Sequence, residues 1–121
     1  MNSKAKLEAE ISQAIIRFEK EYMGRGPLET KTYLIDDLVL VRLKNVLTPA
    51  EVKLAQASEE PRDRRLIKET RQRLLQHGRP LLEVVIRDIL GVAVKSLHTD
   101  ISIKTGERII VFTLERPPKD D

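Results

Sequence analysis

Two rhythms of apolar residues alternate along this chain. Leu7, Ile11, Ala14, Ile15, Phe18 and Tyr22 recur every three to four residues, and Glu8, Gln13, Lys20 and Glu21 fill the remaining positions. That is the period of an amphipathic helix, predicted over residues 3–23. Gly24-Arg25-Gly26-Pro27 ends it, with Gly24 as a left-handed cap and Pro27 unable to extend the helix. The period then shortens to two. Residues 32–35 and 38–44 flank Asp36-Asp37 and read as a β-hairpin, with Val39, Val41 and Leu43 on one face and Leu40, Arg42 and Lys44 on the other. Thr48-Pro49-Ala50-Glu51 is a capping box with proline at the first helical position. It predicts a short helix to about residue 57, broken by Ser58-Glu59-Glu60-Pro61. Next, Ile67, Thr70, Leu74, Gly78, Leu81, Val85 and Ile89 again step by three and four. Their phase survives Gly78-Arg79-Pro80, which predicts one helix over 61–90, kinked near Pro80 and capped by Gly91, rather than two helices.

The last segment returns to strand. Residues 92–103 and 108–114 flank a Lys104-Thr105-Gly106-Glu107 turn. Val92 and Val94 share one face whereas Leu97, Ile101 and Ile103 have the opposite parity, so a β-bulge is expected near Lys95-Ser96. The unbroken run Ile109-Ile110-Val111-Phe112 suggests a central strand covered on both faces. The predicted order is α-β-β-α-α-β-β: an α+β fold of two helix-plus-hairpin halves, with a four-stranded antiparallel sheet packed on helices. It occupies residues 1–116 as one domain, and 117–121 form a polar tail. A small sheet of this kind has edges, and dimerisation is a common way to cover one, so a homodimer is the expected assembly.

Composition narrows the function classes. At 121 residues the chain can bury a core without a covalent staple, and it contains no cysteine, which removes disulfides and thiolate metal sites. No apolar run approaches the roughly 20 residues of a membrane span. Charges among the first residues occupy the place of a signal peptide's apolar segment, so a cytoplasmic protein is expected. The net charge of +3 is uneven: residues 62–79 carry seven cations against Asp63 and Glu69. Such a stretch can meet phosphates, and Arg64, Arg65, Lys68, Arg71 and Arg79 are its candidate nucleic-acid contacts; the plainer reading is a solvated helix face. Two Phe, two Tyr and no Trp leave no strand with a pair of stacking rings, which disfavours sheet-based readout of single strands.

Few residues assemble into chemistry. His98 and Asp100 share one strand face and, with Asp36 or Asp37, form the best acid–base or weak metal combination; an ordinary polar strand face explains them as well. His77 reads as a surface or capping residue. Gly24, Arg25 and Gly26 could bring backbone amides to an anion, yet a phosphate loop precedes a helix and this stretch follows one. Ser96, Ser102 and His98 lie in no nucleophile elbow. The balance is against an enzyme, and the residues call for no cofactor or metal.

Gly24-Arg25-Gly26-Pro27, Tyr33-Leu34-Ile35-Asp36-Asp37 with Val41-Arg42-Leu43, and Leu47-Thr48-Pro49-Ala50-Glu51 occur in that order. They are followed by His98-Thr99-Asp100-Ile101-Ser102, Thr105-Gly106-Glu107-Arg108 and Val111-Phe112-Thr113-Leu114. With these segments, spread over residues 5–115, the chain resembles the MpsC-like family of small bacterial domains. The family takes its name from a sodium-translocating, membrane-potential-generating system, and related systems are tied to inorganic carbon uptake. The resemblance implies a non-enzymatic accessory or regulatory protein, peripheral to the inner face of the membrane and partnered by a membrane complex. It supplies no catalytic residues. Gly24, Arg25, Gly26, Asp36, His98, Asp100, Thr105 and Glu107 are the candidate ligand-binding residues, and Gly106 matches the same motifs.

Overall fold

The computed structural model describes residues 3–57 and 59–118. Ser58 and the tail residues 119–121 therefore lie outside the described residues. The elements follow the predicted order: α1 (Lys4–Met23), β1 (Glu29–Ile35), β2 (Leu38–Lys44), α2 (Pro49–Ala57), α3 (Pro61–Leu90), β3 (Val94–Ile101) and β4 (Arg108–Leu114). Both ends of α1 and the start of α2 have a local cause. Ser3 accepts from the Lys6 N–H at the start of α1, and Gly24 closes that helix at φ 87°. The capping box of α2 forms in both directions: Thr48 Oγ1 accepts from the Glu51 N–H at 3.2 Å, and Glu51 Oε1 accepts from the Thr48 N–H at 2.8 Å. α3 runs unbroken for 30 residues with Pro80 inside it.

The four strands form one antiparallel sheet in the order β1-β2-β4-β3. The register slips between Val94 and Ser96, so the expected bulge sits at Lys95 and turns Leu97 and Ile101 inward. Rows of paired residues cross the sheet. Leu34, Val39, Phe112 and Leu97 form one row, and Thr32, Val41, Ile110 and Thr99 the next. Both rows face the helices, and Val39, Val41, Ile110 and Phe112 are fully buried against Ile11, Ile15, Leu75 and Ile86.

Four expectations need correction. β1 starts at Glu29, earlier than residue 32, and β3 is shorter at both ends than 92–103. β4 is central, but only Arg108, Ile110, Phe112 and Leu114 are buried; Ile109, Val111 and Thr113 stay half-exposed on the sheet's other face. The inward stripe of α3 is also displaced. It consists of Ile67, Arg71, Leu75, Gly78, Leu82, Ile86 and Leu90. Leu74, Val85 and Ile89 lie half-buried beside it, and Thr70 and Leu81 are exposed. At Gly78 α3 packs tightly on α1: a Cβ there would stand 2.3 Å from Cε1 of Phe18, whose ring stacks on Tyr22.

Candidate functional site

Residues 45–48 link β2 to α2, and three segments distant in sequence meet there. Val46 N–H donates to the Gly106 carbonyl at 2.9 Å, and Arg71 Nη2 donates to the Val46 carbonyl at 2.8 Å. Arg25 Nη1 reaches the Leu47 carbonyl at 2.9 Å, while Thr48 is held by Glu51. Asn45 takes φ 59° and packs its backbone against Gly106, itself at φ 74°. A Cβ on Gly106 would have to share this left-handed turn, which glycine adopts without steric penalty. The motifs around Arg25, Thr48 and Gly106 are thus brought together at one corner. A cleft of about 220 Å³ opens beside them, lined by Asn45, Gln56, Lys104 and Thr105 among others. These polar groups share the lining with the apolar Leu47, Val52, Ala55 and Ile103.

Beneath this corner lies a group of charges that reasoning from the sequence missed. Arg71 is 1% exposed; its Nε donates to Glu51 Oε2 at 2.9 Å and its Nη2 to Glu51 Oε1. Arg108 is fully buried, donates to Thr99 Oγ1 at 2.8 Å and approaches the Arg71 carbonyl at 3.5 Å. Glu19 is fully buried, and neither of its carboxylate oxygens has a hydrogen-bond partner among the described residues. Burial pushes the Glu19 carboxyl above its usual range, against the attraction of Arg108 and Arg71. For Glu51 burial pushes the same way, but the hydrogen bonds from Arg71 and Thr48 outweigh it and hold that carboxyl below its usual range. Desolvation lowers Arg108 as well, although a guanidinium stays cationic at neutral pH.

A signal for this group does exist in the sequence. Glu19 continues the i, i+4 series Leu7, Ile11, Ile15, Glu19 and Met23. Arg71 stands between Ile67 and Leu75 at the same spacing, and Arg108 alternates with Ile110, Phe112 and Leu114. Each charge sits on the apolar face of its own element.

The candidate ligand residues scatter. Gly24 and Gly26 are backbone devices: one is the α1 cap, and the other packs close to Lys20. Asp36, at φ 54°, forms the β1–β2 turn at the opposite end of the sheet. Thr105 accepts from the Glu107 N–H, and Glu107 turns away to bind Arg42 at 2.6 Å. His98 and Asp100 lie on β3, with β4 between them and β2, so neither joins Asp36 or Asp37. Asp100 is held by Lys68 at 3.0 Å and by the Ile101 N–H, which keep its carboxyl below the usual range. Among the described residues no group of three or more His, Cys, Asp or Glu could hold a metal ion.

The basic stretch is likewise divided. Arg71 faces the core, a correction to its reading as a phosphate contact: a guanidinium buried and bound to a carboxylate offers nothing to a surface ligand. Lys68 binds Asp100, Arg73 binds Glu69 and Arg79 binds Glu83. Arg62, Arg64 and Arg65 remain as exposed cations on the first turns of α3.

Fold and site together define a small α+β domain with a largely buried Arg71–Glu51 ion pair beneath one corner. Residues 3–116 match the family described as the Na+-translocating membrane potential-generating system (MpsC), and the chain belongs to that family. It is also similar to the uncharacterized protein YbcI of Bacillus subtilis (strain 168), 44% identical over 112 residues that cover 93% of this chain and 88% of that protein. No solved structure matches it.

Proposed function

We propose that this chain is an accessory or regulatory domain of an ion- or inorganic-carbon-transporting membrane system, acting by binding a protein partner rather than by catalysis. The observation that carries this reading is how the residues around the 45–48 corner are employed. Arg25, Thr48, Glu51 and Gly106 are spent on carbonyl contacts, caps and a turn that hold residues 45–48 in a fixed shape. Rigidly held backbone at a corner suits recognition, where pre-organisation lowers the entropy lost on binding. The family's description supplies the membrane context, and among the described residues no helix is long and apolar enough to cross a membrane. In such a system the ion path would then belong to another subunit. Affinity capture of the tagged full chain from gently solubilised membranes tests this. A multi-spanning subunit in comparable amount is expected, and membranes that yield none overturn it.

The nucleic-acid reading is favoured by Arg62, Arg64 and Arg65 and weakened by the pairing or burial of the other four cations. Phosphate binding through so few residues would be weak and steeply salt-dependent.

A further inference from the structure

The two edges of the sheet differ. Along β1, α1 covers the strand: Glu8 Oε2 accepts the Leu34 N–H at 2.8 Å, and Ser12 Oγ meets Thr32 Oγ1 at 2.8 Å. An edge N–H taken in this way is withdrawn from strand pairing. At the β3 edge, the Ser102 N–H donates to the Glu107 carbonyl. Antiparallel alternation then points the N–H and C=O groups of Leu97, Thr99 and Ile101 away from β4. Asp100 takes the Ile101 N–H with its own carboxylate, and the Lys68–Asp100 bridge covers that end. The open part of the edge is therefore the short run around His98. Beside it lies a groove of about 530 Å³ between β3 and α3, lined by Glu69, Gln72, Arg73 and Gln76.

We propose that a second copy of this chain fills this edge, its β3 pairing antiparallel with this β3 about a two-fold axis at His98, so that the two sheets become one. The order of charges favours an identical chain. Glu69 and Arg73 lie one turn apart on the groove side of α3 and form a 3.3 Å pair within the single chain. A two-fold axis reverses α3 and sets each carboxylate toward the other copy's guanidinium, the self-complementary arrangement of an isologous contact. Along the strand, Leu97 pairs with the copy's Thr99, and Asp100 falls opposite the copy's Ser96, so no like charges meet. A peptide of one charge sign would find a cation and an anion side by side instead. The bulge at Lys95 interrupts the regular ladder at the start of β3, which confines such pairing to the run around His98. This inference does not depend on the membrane-system reading.

Because the chain has no cysteine, His98→Cys introduces a single thiol at an exposed position. On the axis it meets its own copy as a non-hydrogen-bonded pair with Cα atoms about 4.5 Å apart, within disulfide reach. The wild-type chain is expected at twice 13.9 kDa by light scattering at tens of micromolar. Under mild oxidation the His98→Cys chain should cross-link on the order of tenfold faster than Tyr33→Cys, an exposed position on β1. A monomeric wild-type mass overturns the proposal, and so does faster cross-linking through Tyr33→Cys, which would place the contact at the other edge. Amide exchange on the unaltered chain is independent of either variant. The Leu97 and Thr99 amides should gain protection as concentration rises, and unchanged exchange contradicts the pairing.

Discussion

At the scale of single residues, the Arg71–Glu51 pair is the strongest energetic statement in the molecule. Arg71 is almost entirely buried, whereas the Glu51 side chain keeps 23% of its exposure. Removing one partner of a buried pair strands the other charge, which costs about 3–5 kcal/mol. Glu51→Gln should therefore lower unfolding free energy by about 3 kcal/mol, the low end because Glu51 is in contact with water. Arg71→Met added to Glu51→Gln should cost less than the two single losses summed, because the charge pair is broken only once, whereas the Val46 carbonyl loses its donor whenever Arg71 is replaced. Chemical denaturation of the single and double variants measures it; additive losses would contradict the coupling.

Glu19 gives the opposite pH signature. Its folded-state carboxyl is raised above 4.5, so the folded chain holds that proton more tightly than the unfolded one. The resulting stability is fully present below the unfolded value and is lost as pH rises through the raised one. Glu51 is lowered, so its contribution is present above 4.5 and lost as pH falls below it. The stability of wild type relative to Glu19→Gln should therefore decline as pH rises from 4.5, because glutamine mimics the protonated acid. A denaturation-midpoint difference that stays flat with pH would contradict this.

At the scale of elements, the hairpins, the capping box and the bulge were legible because each has a short-range cause. Asp36-Asp37 separates two runs of period two, Thr48 and Glu51 stand three apart, and the parity of Val94 and Leu97 conflicts within one strand. The inward face of α3 was not legible in the same way. Two apolar stripes lie side by side on that helix, and the buried one contains Arg71, so hydropathy favours the stripe through Leu74, Leu81, Val85 and Ile89. The Glu51 carboxylate supplied by α2 and the Val46 carbonyl together make an arginine tolerable inside, and both are tertiary facts. The candidate site was partly legible for the same reason: Arg25, Thr105 and Gly106 meet at one corner, while His98, Asp100 and Asp36 depend on a strand order that spacing does not reveal.

Gly78 tests the packing of α1 on α3. Alanine gains about 1 kcal/mol of helix propensity over glycine. Here its Cβ would stand 2.3 Å from the Phe18 ring, so the ring and its stack with Tyr22 must shift. Overpacking of a close contact costs about 1–3 kcal/mol. Gly78→Ala should thus lower the melting temperature, and a rise would mean the helices are farther apart than described.

At the scale of the whole molecule, one sheet face is sealed by helices and the other is not. Tyr33, Leu40, Val111 and His98 form a row across the open face, with Tyr33 42% exposed. That face, the corner at residues 45–48 and the β3 edge give a 13.9 kDa domain several surfaces for partners. The exposed cations at the start of α3 add a fourth surface, of a kind whose binding would fade with salt.

The membrane role is tested most directly by that capture experiment, run on nuclease-treated and untreated extracts of solubilised membranes with every retained species identified. The account predicts a multi-spanning ion-translocating subunit held in both extracts and at moderate salt. Retention of nucleic acid or transcription proteins that nuclease abolishes, with no membrane subunit present, would contradict it and move the function to Arg62, Arg64 and Arg65.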